Sequence, residues 1–84
     1  MTNDYVTPYK NFFGFRFELT KTSDGTPDGY ECRGDVCYDD EGDEMPDPEL
    51  WQAALHLAEA LNDHGIPAEA EPSEKGWVEV RFNS

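Results

Sequence analysis

Basic residues are scarce in this chain. Six Lys and Arg stand against nineteen Asp and Glu among 84 residues, a formal net charge of −13. Without a basic surface to displace phosphate counterions, direct binding to nucleic acid is excluded, and an anionic membrane surface is disfavoured for the same reason. Long apolar runs are lacking too. No stretch approaches the roughly 20 residues of a membrane helix, and Met1–Lys10 carries no apolar signal-peptide core, so a cytoplasmic protein is expected. Cysteine is limited to Cys32 and Cys37, which in a reducing compartment are expected as free thiols. Leu, Ile, Val and Phe together number only fifteen, so the core is small, helped by four Tyr and two Trp. The length fits one domain over residues 1–84, with 1–11 expected to be a flexible tail.

Catalytic and metal signatures are missing as well. There is no Gly-rich phosphate loop, HExxH or nucleophile elbow, and Cys-His chemistry would need a histidine and an orienting partner that the sequence does not place; no enzyme is expected. Cys32, Cys37, His56 and His64 match no common zinc spacing. Asp24, Thr26, Asp28, Gly29 and Asp35 imitate an EF-hand loop, but Pro27 interrupts it, Asp stands where Glu is needed, and no helices flank it. No metal and no cofactor are expected. Arg33-Gly34-Asp35, between the two cysteines, has the form of a disulfide-closed adhesion loop, which the absence of a secretory signal argues against. Gly34-Asp35 has a second reading as a type II′ turn that would face the cysteines across a tight hairpin; on a continuous strand they would be too far apart to bond.

What is present is patterned. Phe13, Phe15, Phe17 and Leu19 alternate with Gly14, Arg16, Glu18 and Thr20, a strand with one apolar face. The turn-rich stretch Ser23–Gly29 follows, and Tyr30 to Tyr38 alternates as a second strand paired with the first. Phe13, Phe15, Phe17 and Phe82 are read as core. Residues 39–47 are read as an acidic loop. Asp47 is a good N-cap, Pro48 suits the first helical position, and Leu50, Ala54, Leu57, Ala58 and Leu61 recur at helical spacing up to Gly65 at C′, where Ile66 can touch Leu61. Ala68–Glu71 and Trp77–Phe82 read as two further strands around a turn at Pro72–Gly76. The expected architecture is α+β: a ββαββ domain with an antiparallel sheet of about four strands and one helix packed on one face. The opposite face would be wet, with Glu18, Glu31, Asp35, Glu69, Glu71 and Glu79 on it.

The charge is concentrated. Residues 1–23 are net +1, residues 24–49 net −10 and residues 50–84 net −4. Carboxylates two apart on a strand lie about 6.5–7 Å from one another, close to two base-pair rises along a DNA strand. Such a surface suits a Lys/Arg-lined groove built for phosphates, through charge-assisted Arg–carboxylate pairs. Glu31, Asp35, Tyr38, Asp39, Asp40, Glu41, Asp43 and Glu44 form the expected partner-binding cluster, with Tyr38 as an aromatic anchor ringed by acids. The bland counterpart is a solvated acidic loop that keeps the protein soluble.

A small, strongly acidic, aromatic-rich ββαββ chain without a catalytic motif resembles the phage anti-CRISPR and DNA-mimic anti-restriction proteins. The resemblance is to a class, spans the chain and rests on no diagnostic motif, so it transfers no residue roles. It implies a stoichiometric inhibitor in the host cytoplasm, bound to a basic nucleic-acid-binding protein, either a CRISPR effector subunit or a nuclease. The alternatives are an immunity protein or antitoxin for a cognate nuclease, and an acidic metal-binding regulatory domain. A monomer or weak homodimer is expected, with Trp77–Phe82 as an exposed edge strand open to pairing.

Overall fold

A computed structural model of the chain describes residues 7–73 and 76–83. Its first hairpin joins β1 (Tyr9–Phe12) to β2 (Phe15–Lys21). The register pairs Phe12 with Phe15, leaving Phe13 and Gly14 as a two-residue loop with φ of 52° and 81°. Positive φ at both positions is the type I′ geometry whose twist matches the strands. Phe13 was expected in the core strand. It is instead 63% exposed at the turn, because a tip residue belongs to neither face of the sheet. Part of the stretch expected as a tail is thus the edge strand β1; residues 1–6 lie outside the described residues.

β3 (Pro27–Cys32) pairs with β2, the pairing expected of the second strand, but it starts at Pro27, inside the stretch read as a turn. The loop between them closes through Thr22 N–H to Thr26 C=O and Gly25 N–H to Thr22 C=O, with Gly25 at φ 87°. This is a three-residue hairpin with glycine in the left-handed position. Asp28 is the extra residue of a bulge opposite Thr20 and Lys21.

The second strand does not run on to Tyr38. It ends at Cys32, and Arg33-Gly34-Asp35 crosses to a separate hairpin, β4 (Val36–Tyr38) with β5 (Glu44–Pro46). Close packing explains the break. A Cβ on Gly34 would lie 2.4 Å from Leu50 Cδ2, and one on Gly76 would lie 2.5 Å from the Asp35 carbonyl oxygen. The segment is squeezed between the helix and Gly76. Gly34 is not among the residues with positive φ, so the type II′ turn is not formed, and Cys32 and Cys37 are both free thiols. The acidic stretch 39–47 likewise contains a strand, β5, rather than loop alone.

The helix α1 (Pro48–Asp63) follows its sequence signals closely. The Asp47 carboxylate accepts the Glu49 N–H at 2.8 Å. At the other end Ile66 N–H reaches Leu61 C=O and Gly65 N–H reaches Asn62 C=O, with Gly65 at φ 84°, the paired bonds of a Schellman cap. Asn62 then ties helix to sheet: its amide donates to Ala58 and Ala68 carbonyls and accepts the Ala68 N–H.

β6 (Ala68–Pro72) and β7 (Val78–Phe82) complete an antiparallel sheet ordered β1-β2-β3-β7-β6. It has five strands rather than four. β7, expected at an edge, is interior, flanked by β3 and β6; the edges are β1 and β6. The expected turn at Pro72–Gly76 includes residues 74 and 75, which lie outside the described residues. Leu50, Ala53, Ala54, Leu57 and Leu61 of α1 pack on Phe17, Tyr30, Cys32, Val78 and Val80, and Phe15, Leu19 and Phe82 are half-buried around them. Among the described residues no helix is long and apolar enough to cross a membrane.

Candidate functional site: a glutamate row and an acidic hairpin

The strand register puts residues distant in sequence side by side. Glu18 on β2 faces Glu31 on β3. Glu31 faces Glu79 on β7, and Glu79 faces Glu71 on β6. Four glutamates therefore stand in one line across four neighbouring strands, on the face that α1 leaves open, with Tyr9 of β1 beside Glu18. Strands lie about 4.8 Å apart, so the line is about 14 Å long. Like charges directly opposite each other destabilise a sheet.

The row is only half compensated. Arg81 Nε sits 3.2 Å from Glu79 and 3.5 Å from Glu71. The hydrogen bond to Glu79, and then the two nearby carboxylates, raise the Arg81 pKa further. Glu18 and Glu31 have no ion pair among the described residues. Two arginines stand near them, but each lies on an aromatic ring: Arg16 over Tyr9 at 4.3 Å, Arg33 over Trp77 at 4.5 Å. Beyond the row, Thr20 hydroxyl donates to Asp28, and Thr22 hydroxyl and Thr26 N–H donate to Asp24. The Thr22 bond foremost holds the Asp24 carboxyl below its ordinary pKa.

The other expected residues lie elsewhere. Asp35 is exposed in the crossover, and Tyr38, Asp39, Asp40, Glu41, Asp43 and Glu44 belong to the β4–β5 hairpin. Its loop repeats the geometry of the β2–β3 loop. Asp39 N–H donates to Asp43 C=O, Gly42 N–H to Asp39 C=O, and Gly42 has φ 86°. The Asp39 carboxylate accepts the N–H groups of Glu41 and Asp43, both at 2.9 Å. Asp39 is therefore a turn-holding residue, while Asp40, Glu41, Asp43 and Glu44 point no carboxylate at any described donor. Tyr38 is 65% exposed, open for contact as an anchor requires.

The expected cluster is thus divided. Glu31 belongs to the sheet face and the hairpin acids form a second patch. Glu18, Glu71 and Glu79 are the residues the cluster omitted. Their alternation had assigned them to the wet face, but only the pairing register aligns them. Among the described residues no group of three or more His, Cys, Asp or Glu is arranged to hold a metal ion. No family model, no curated protein and no solved structure matches the chain.

Proposed function

We propose that this protein is a non-enzymatic inhibitor of the anti-CRISPR kind, which binds a basic nucleic-acid-binding protein by presenting carboxylates in place of phosphates and occupies the DNA- or PAM-binding groove of a CRISPR effector. The observation that carries the reading is the row Glu18–Glu31–Glu79–Glu71. Stacking like charges in register weakens the sheet, and Glu18 and Glu31 have no ion pair among the described residues. Features that break a local stability rule concentrate at functional sites. A groove lined with arginines would supply the missing partners through short charge-assisted bonds. The acidic hairpin adds long-range attraction, which speeds association and weakens as salt rises.

A competition assay tests this. A guide-loaded CRISPR effector is bound to a fluorescent PAM-containing duplex, and the protein is added at low and high salt. Displacement is expected at low salt and should weaken as salt rises. The quadruple variant E18Q/E31Q/E71Q/E79Q, with its fold verified by circular dichroism, should displace about tenfold less well or worse. Absence of displacement at every salt concentration, or an undiminished quadruple variant, would overturn the reading.

A further inference from the structure

One cavity on the open face has a composition that the row alone does not explain. It measures about 420 Å³ and is lined by Arg16, Glu18, Glu31 and Arg33 together with Gly14, Phe15 and Cys32. That volume lies in the range of small-molecule sites. The β2–β3 register that joins Glu18 to Glu31, carried two residues further, brings Arg16 toward Arg33. Two cations thus form one rank and two anions the next, with the ranks about 7 Å apart along the strands. This spacing allows an ion pair of Arg16 with Glu18, or of Arg33 with Glu31, like that of Arg81 with Glu79. Neither pair forms among the described residues; each guanidinium sits over the Tyr9 or Trp77 ring instead. A guanidinium held over a ring is already partly ordered, so less side-chain freedom is lost when its N–H groups bind a carboxylate.

We propose that this cavity binds a small zwitterion of the amino-acid type, its carboxylate held between Arg16 and Arg33 and its ammonium between Glu18 and Glu31. Charge decides the class. A simple anion would be repelled by the field of a chain at −13 and would leave the glutamates unanswered. A simple cation would leave the arginines unanswered. A molecule with both charges and no net charge meets all four groups without that penalty. The step is binding only.

The test uses the whole isotopically labelled protein and NMR titration. The probes are glycine and 4-aminobutyrate as short and long zwitterions, with butyrate and butylammonium as single-charge controls. Saturable shifts at the amides of Arg16, Glu18, Glu31 and Arg33 are expected for at least one zwitterion, with affinity at least about tenfold above both controls. In R16Q/R33Q that response should disappear. In E18Q/E31Q the preference for 4-aminobutyrate over butyrate should vanish while the amide spectrum stays folded. Failure of both zwitterions to saturate, equal response to all four probes, or an unchanged response in R16Q/R33Q would overturn the proposal. No protein partner enters this experiment, so its failure leaves the effector competition reading unaffected, and the reverse holds too.

Discussion

The sheet face and the β4–β5 hairpin carry the same sign of charge in opposite ways. On the sheet, four glutamates are locked opposite one another by backbone ladders on well-packed strands. On the hairpin, three-residue strands hold a loop whose own carboxylate, Asp39, is spent on organising the turn. The first arrangement fixes spacing at a cost in stability. The second spreads charge over an exposed tip at almost none, since separated surface acids repel weakly in water. Equal charge density is therefore not equal geometry. The row is spaced by ladders that run across four strands, whereas the hairpin tip is held only by the bonds of its own turn.

The sharpest way to break the contrast is to open the seam that aligns the row. Gly29 faces Arg81 across β3 and β7, and a Cβ there would meet the Val80 carbonyl oxygen at 2.4 Å. Gly29→Ala should lower unfolding free energy by about 2–3 kcal/mol in urea titration; a value near zero would show that the seam tolerates a side chain. On the hairpin the matching lesion is Asp39→Ala, which removes the acceptor of two N–H bonds. A loss of about 1 kcal/mol is expected, with hydrogen exchange faster in Val36–Pro46 and unchanged in β3 and β7.

Neutralising charge should separate the two regions by sign. Glu31→Gln takes one charge from the middle of the row and should stabilise the domain by about 0.5 kcal/mol, the gain shrinking with added salt. Asp40→Asn on the hairpin should change stability by less than about 0.5 kcal/mol at any salt concentration. Equal responses would mean that register adds nothing to charge.

The two thiols offer the gentlest comparison, since Cys32 lies in the sheet core and Cys37 half-exposed in β4. Iodoacetamide should modify Cys37 well before Cys32 at neutral pH, read by mass spectrometry. Burial raises the Cys32 pKa above 9.0 and the Tyr30 pKa above 10.0. Their neutral forms thus contribute stability that is complete below the unfolded pKa values and lost as pH rises through the folded ones. Stability should fall on the alkaline side, and Cys32→Ala should flatten part of that decline.

Much of the fold was legible locally. Asp47, Pro48 and Gly65 marked the helix because caps act through bonds within one turn. Alternation in Ala68–Glu71 and Trp77–Phe82 marked β6 and β7, because period two depends on the strand alone. The break after Cys32 was not legible. Its cause is contact of Gly34 with Leu50 and of Asp35 with Gly76, residues far off in the sequence. Phe13 misled because its apolar side chain continued the alternation of Phe15 and Phe17, while the turn was set by Gly14 and by the pairing of Phe12 with Phe15. The candidate site was half visible: alternation named a wet face with Glu18, Glu31, Glu71 and Glu79 on it, and charge density named the hairpin.

What the sequence determined by itself is the sign and amount of charge, the helix with its caps, and which side of β2, β3, β6 and β7 is polar. All of these depend on composition or on contacts within a few residues. What only the tertiary structure decided is the strand order β1-β2-β3-β7-β6, and with it the alignment of four glutamates into a row and of Arg16 and Arg33 into one cavity. Alternation assigns a residue to a face but not to a neighbour. Neighbours across a sheet are chosen by how the whole apolar face packs against the helix.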